Sequence, residues 1–218
     1  MEKSYWSSRW RKNKIGFHAF DIDDSLTRFW HTLGFTEDIT VFVPLCGKSL
    51  DMLWLVEQGQ TIKGVEFVEK ACIQFFSENG LNPEITSHSF GTKYTSPKIT
   101  LWAADILKLP DNEISECGAV YDRAALVALP PEMRTDYINK IAKNLKPGTP
   151  YLLVTFEYDE NIMQGPPFSI PEKEIHRLFD KDYTIRLLSS EDIIQNLEKF
   201  KNKGLQSMIK NVYVLHKK

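Results

Sequence analysis

Residues 39–66, ITVFVPLCGKSLDMLWLVEQGQTIKGVE, constrain the fold more than any other stretch of the chain. An apolar run over 39–43, rich in β-branched and aromatic side chains and closed by Pro44, has the character of a strand buried on both faces. A loop with one glycine follows, Leu45-Cys46-Gly47-Lys48-Ser49. Leu50, Leu53, Trp54 and Val56 then recur at helical spacing until Gly59. A second β-rich run over 61–65 ends in Glu66, and 67–78 reads as another helix, closed by Asn79-Gly80. Two strands joined through a helix make a crossover, which implies a parallel sheet.

In such a sheet the loops at the carboxyl ends of the strands, with the amides of the following helices, form the crevice where nucleotide-like ligands sit. Gly47 lets a ligand approach the backbone without meeting a Cβ. Glu66 ends the next strand about 20 residues on, the spacing of an acid that accepts hydrogen bonds from a ribose diol. Taken alone, Glu66 also fits a solvated or capping residue. A pyrophosphate cradle needs G-x-G-x-x-G or G-x-x-x-x-G-K-[ST], and Pro44-Leu45-Cys46-Gly47-Lys48-Ser49 supplies neither, which disfavours a dinucleotide or ATP. S-adenosylmethionine, with a ribose to anchor and no phosphate to cradle, fits better.

With 218 residues, 42% hydrophobic and 26% charged, the chain is expected to form one α/β domain around one core. A net charge of -2 argues against a binder of nucleic acid that relies on a broad basic field. The local cluster Lys3, Arg9, Arg11, Lys12 and Lys14 reads as a solvated face. Cys46, Cys72 and Cys117 show no C-x-x-C spacing and no histidine at ligand spacing, so neither a disulfide framework nor a metal site is indicated, and a reducing cytoplasm is expected. No apolar run approaches the ~18 residues of a membrane span and no leader is evident, which predicts a soluble, unprocessed protein.

Residues 1–38 are rich in aromatics and form a cover segment. A helix starting near Ser4 puts Trp6 and Trp10 on one face, where they either close over a flat ligand or pack against the sheet. Asp23-Asp24-Ser25 caps a second helix over 26–33. Polar residues 81–97 predict irregular structure or a short hairpin. The third strand, 99–103, leads to Asp105, which either accepts from an adenine amino group or caps a turn. The fourth, 119–122, delivers Arg123 among apolar neighbours, where it needs a ligand or a structural acid such as Asp122. A helix over 132–145 precedes a central strand over 150–158. The proline-rich 159–171 forms a wall of the site or a surface turn. A helix over 172–179, a strand over 183–188, a helix over 190–200 and a strand over 208–215 complete the chain. Seven strands so arranged predict a doubly wound, mostly parallel α/β sheet with an antiparallel edge strand.

Several of these blocks together resemble the bacterial branch of the thiopurine S-methyltransferases over essentially the whole length. They are Trp6 and Trp10 with Gly16-Phe17-His18, Val43 to Asp51, Gly64-Val65-Glu66, Tyr121 to Leu126, and Tyr158-Asp159 with Gly165-Pro166-Pro167-Phe168. The resemblance implies a class I methyltransferase fold, S-adenosyl-L-methionine as donor, no metal, and methyl transfer to a thiol sulfur of thiopurines or aromatic thiols. In bacterial relatives it extends to selenium and tellurium species, hence metalloid detoxification. It carries cofactor contacts onto Trp10, Leu45, Glu66 and Arg123, with Trp6, Asp105 and Ile106 as further contacts, and an acceptor-side contact onto Phe17. Where some relatives show an arginine near the acceptor, Leu197-Glu198-Lys199 offers only lysine. The expected partner is a small-molecule thiol bound by a monomer, with no nucleic acid and no membrane.

A thiol that ionises near neutral pH needs no strong general base, so no catalytic dyad is expected. Arg123 is the residue expected to stabilise the acceptor's negative charge, directly or through water. His18 is read as packing, or as the one candidate for proton traffic, and Cys46 as inert. The rival readings are another small acceptor with the same donor, such as selenite or tellurite, and a nucleotide-binding protein that has kept the fold without the chemistry.

Overall fold

The computed structural model describes residues 3–16, 18–35 and 38–218. The strands are β1 (Thr40–Pro44), β2 (Thr61–Glu66), β3 (Glu84–His88), β4 (Gly91–Thr95), β5 (Ile99–Ala104), β6 (Ala119–Arg123), β7 (Pro150–Glu157), β8 (Tyr183–Asp192) and β9 (Ile209–Lys217). The helices are α1 (Lys3–Arg11), α2 (Asp24–Phe29), α3 (Asp51–Glu57), α4 (Glu69–Glu78), α5 (Asn112–Ser115), α6 (Pro131–Ala142), α7 (Glu172–Phe179) and α8 (Glu198–Lys201). All nine strands join one sheet in the order β3-β4-β5-β2-β1-β6-β7-β9-β8. The five central strands, β5 to β7 in that order, are mutually parallel, and the outer pairs are antiparallel.

Strand alternation sorts the core onto two faces. Val41 and Val43 point to one side, where Met52 and Leu55 of α3 and Cys72, Phe75 and Phe76 of α4 cover them. Phe42 points to the other, with Tyr137, Ile138 and Ile141 of α6 and Ile175 and Phe179 of α7. Each helix buries one stripe, spaced i, i+1, i+4 in α6, which begins with proline at its first turn as the missing N–H allows. This is the doubly wound arrangement that the β–loop–α–β pattern predicts.

Two expectations change. The sheet has nine strands where seven were expected, because the polar stretch 81–97 forms the hairpin β3–β4, which pairs onto β5. The helix expected over 190–200 is not formed as such. β8 continues to Asp192, with Ser189 to Asp192 paired to β9 after a bulge at Leu187/Ser189, and only a short 3-10 turn and the four-residue α8 follow. Ladder hydrogen bonds to β9 satisfy that backbone, and Asp192 then accepts from the amides of Ile194 and Met208 to turn the chain.

Asp122 shows what this alternation puts inside. Its fully buried carboxylate accepts from the hydroxyls of Tyr137 and Tyr151, each at 2.6 Å, and from Leu126 N at 3.0 Å, while burial pushes its pKa up. Asp122→Ala strands two tyrosine hydroxyls and an amide in the core. It should cost about 3–5 kcal/mol in urea unfolding with the m-value unchanged.

Candidate functional site

The carboxyl ends of the parallel strands meet on one edge of the sheet, and β1 lies where its neighbours β2 and β6 lead away in opposite directions. That is the topological switch point. Three residues there hold positive φ, Leu45 at 44° and Gly47 at 54° after β1, and Ala124 at 59° after β6. Two of them carry a Cβ, so the backbone is strained on both sides of the crevice. Glu66 sits between. Its Oε2 accepts from Gly47 N at 2.9 Å and its Oε1 from Val68 N at 2.8 Å, so one carboxylate ties the β1 loop to the start of α4. Burial raises its pKa to about 7, against the opposing pull of those two amides and of the Phe67 amide.

The cover segment seats directly on this loop. Trp6 and Trp10 are buried together with Val68, which precedes α4, and Ala71 within it, and Lys70 Nζ donates to Trp10 O at 3.1 Å. The Trp10 indole lies 3.5 Å from the place a Cβ on Gly47 would occupy. Both tryptophans thus take the packing reading, against α4 and the residue that precedes it, and the Trp10 indole also lies beside Gly47 of the β1 loop. Further along the cover, Asp23 accepts from Ser25 N as the cap of α2 and reaches Arg123 Nε at 3.1 Å and Lys210 Nζ at 3.0 Å. Asp51 Oδ2 lies 3.5 Å from Arg123 Nη1 and accepts from Tyr121 OH at 3.0 Å, while its Oδ1 accepts from Asp23 N at 2.9 Å.

Arg123 is therefore paired with acids from α3 and the cover; Asp122 points to the opposite face. Asp105 caps a short turn, accepting from Leu107 N at 3.0 Å, with its residue half-buried at the end of β5 and Ile106 buried beside it. Phe17 lies outside the described residues. His18 is half-buried. Burial first, then Lys48, lowers its pKa, so the ring is neutral near pH 7. Burial drives the Cys46 thiol well above its ordinary value, which leaves no nucleophile there. The 159–171 segment folds back on the site side, with Phe168 N donating to Val127 O at 2.7 Å, just beyond the turn that follows Arg123. Lys199 reaches the cover, its Nζ 2.8 Å from where a Cβ on Gly16 would stand.

Asp23, Asp51 and Lys210 were missed as site residues by sequence reasoning. Tyr121 and Arg123 are two apart on a strand and so share a face, which would have pointed to an acid on the helix packed there. Among the described residues there is no group of three or more histidines, cysteines and acids placed to hold a metal ion.

Comparison with known proteins bears on this arrangement directly. A family described as thiopurine S-methyltransferase matches residues 1–218. The chain belongs to the thiopurine S-methyltransferase family. Thiopurine S-methyltransferase of Pseudomonas fluorescens strain SBW25 is 40% identical over 99% of both chains, and that of Nitrosomonas eutropha is 39% identical over 100% of this chain and 99% of its own. Among solved structures, a Burkholderia thailandensis 1,6-didemethyltoxoflavin-N1-methyltransferase with bound S-adenosylhomocysteine superposes with a TM-score of 0.68 at 16% identity, covering 99% of this chain and 86% of that one. The fold is thus that of class I methyltransferases, and membership of the thiopurine S-methyltransferase family marks the chain as a methyltransferase.

The latch between cover and sheet has a measurable consequence. Burial would raise the Asp23 carboxyl, but Lys210 and Arg123 outweigh it and hold its pKa down, so its contribution is present at neutral pH and lost as pH falls through that depressed value. Asp23→Ala removes the helix cap and both ion pairs. It should cost about 2–4 kcal/mol at pH 7 and expose residues 12–22 to limited proteolysis; wild-type digestion rates would show that the latch does not hold the cover.

Proposed function

We propose that the crevice binds S-adenosylmethionine and that the enzyme moves its methyl group to the sulfur of thiopurines or related aromatic thiols. The observation that carries this is the buried Glu66 carboxylate, suspended between the Gly47 loop and α4 beneath Trp10. Its two oxygens take the backbone amides of Gly47, Phe67 and Val68, and a carboxylate, with about four lone-pair sites, keeps acceptor capacity for a ribose hydroxyl. Leu45 and Gly47 offer backbone for the amino-acid end, and Asp105 with Ile106 an acid and an apolar wall for the purine. The relatives named above are thiopurine S-methyltransferases, which supports the acceptor class.

The bound donor supplies an electrophilic sulfonium methyl group. The chain's residues hold, orient and dry the site. Trp6 and Trp10 exclude water, Glu66 and Asp105 fix the donor's sugar and base, and the ionised thiol approaches in line. Arg123 supplies positive potential, tempered by Asp23 and Asp51, so it both stabilises an anionic acceptor and keeps the cover aligned over it.

We read residues 1–38 as the cover of one methyltransferase domain. We place the enzyme in the cytoplasm as a monomer, free of metal, membrane and nucleic acid. The three buried free thiols and the small net charge support that setting. The test is a labelled-donor assay across thiopurines, thiophenols, selenite and tellurite. Turnover on the thiols is the expected result, turnover on the oxyanions would add metalloid detoxification, and none on any thiol would overturn the reading.

Glu66→Ala should weaken donor binding by about 1–3 kcal/mol in calorimetry, and unchanged affinity would remove its role as the ribose anchor. The pH dependence has a definite sign. In the free protein Glu66 keeps its proton up to about 7, against 4.5 ordinarily, so its contribution favours folding at low pH and is lost as pH rises through 7. Diol hydroxyls favour the ionised carboxylate. Donor affinity should therefore rise from pH 6 to pH 8, and binding at pH 7 should release protons, seen as a binding enthalpy that depends on the buffer.

A further inference from the structure

The β3–β4 hairpin lies outside the site as described so far, yet its tip belongs to the same edge of the sheet. β4 runs antiparallel to β5 with Gly91 opposite Ala104, so the turn at residues 89–90 is carried to the carboxyl end of β5, where Asp105 and Ile106 begin. Gly91 is required there, since a Cβ would stand 2.5 Å from Ala103 O and 2.7 Å from Ala104 Cβ. The tip is pressed against the strand end.

Three rings gather at this point. His88 and Phe90 each lie 4.9 Å from the Trp102 ring and 5.6 Å from each other, and Lys93 Nζ stands 5.4 Å over the indole. Phe90 is half-buried against the cluster that contains Trp102, Ala104 and Ile106. Trp102 is buried, but its indole N–H has no hydrogen-bond partner among the described residues. The hairpin brings little else inside. All five residues of β3 are exposed, and Tyr94, stacked on Phe76 with its hydroxyl donating to Glu69, is the residue of β4 buried on the α4 side.

We propose that the hairpin tip is the purine-side support of the donor site. Phe90 is a positioning residue that acts through Trp102 to hold the β5 end, and with it Asp105 and Ile106, in register with the adenine ring. This rests on the donor reading above. Aromatic packing onto a strand end fixes its position without contributing a polar group, so loss of the ring loosens the purine wall and leaves the methyl-transfer geometry alone.

The test uses the full chain with Phe90→Ala, Phe90→Tyr and, as reference, Glu66→Ala. Phe90→Ala should raise the donor KM and the Kd for S-adenosylhomocysteine about three- to ten-fold, with kcat at saturating donor and acceptor KM within about two-fold. Adenosine, which carries the purine and ribose alone, should lose affinity as an inhibitor by the same factor, and Phe90→Tyr should restore all three. If Phe90→Ala binds both ligands as wild type while Glu66→Ala does not, the hairpin proposal fails and the donor reading stands. If Glu66→Ala also binds as wild type, the ribose-anchor role of Glu66 fails with it, and if the wild-type chain binds neither S-adenosylhomocysteine nor adenosine, the donor reading itself fails. A loss for S-adenosylhomocysteine without one for adenosine, or a fall in kcat that Phe90→Tyr does not rescue, overturns the purine-side role. Should Phe90→Ala not fold, Phe90→Leu, which keeps bulk and removes the ring, carries the same readouts.

Discussion

A single carboxylate, that of Glu66, joins the ends of two parallel strands. It accepts from the amide of Gly47 on the β1 side and from that of Val68 at the start of α4 on the β2 side. Parallel strands leave their terminal loops without neighbours of their own, so something must fix the spacing of those loops. Here the fixing group is buried, and burying it costs ionisation energy, as its pKa near 7 records. The left-handed backbone at Leu45 and Gly47 and the seat of Trp10 all lie within the loop that this carboxylate holds. A ligand that donates two hydroxyls to Glu66 restores part of the solvation lost on folding, which couples ligand binding to the order of the crevice.

The stretch Tyr121-Asp122-Arg123 distributes three polar groups over two faces by strand alternation alone. Tyr121 and Arg123 meet Asp51 on the α3 side, and Asp122 meets two tyrosines on the α6 side. One strand end thereby joins both helical layers. The cover is tied to the same strand end through Asp23, so the segment over the site and the packing beneath it share one set of charges. Arg123 serves in that network through Asp23 and Asp51 together.

Much of this was legible in the chain because it is local. The order of strands and helices follows from hydrophobic period and from punctuation by glycine and proline, and Glu66 declares itself by standing at a strand end a fixed distance from Gly47. The hairpin at 84–95 stayed ambiguous because β3 buries nothing, and an exposed strand has no hydrophobic period to read. The stretch at 190–200 was misread as helix because Ser190, Glu191 and Asp192 are indifferent by propensity, and their ladder partner β9 lies far along the chain. Asp23, Asp51 and Lys210 escaped for the same reason. A partner 187 residues away leaves no mark on local pattern.

The position of β9 gives the molecule an order of completion. It lies between β7 and β8 and, among the described residues, is the strand with which β8 pairs. During synthesis β8 therefore emerges with nothing to pair with until β9 has been made. The same late strand carries Lys210, the cation that grips Asp23 near the other end of the chain. The sheet's far margin and one of the two cations on Asp23 are thus finished together, and a nascent chain that has not yet added its ninth strand holds the cover through Arg123 and the seat of Trp6 and Trp10, without the last cation of the clasp.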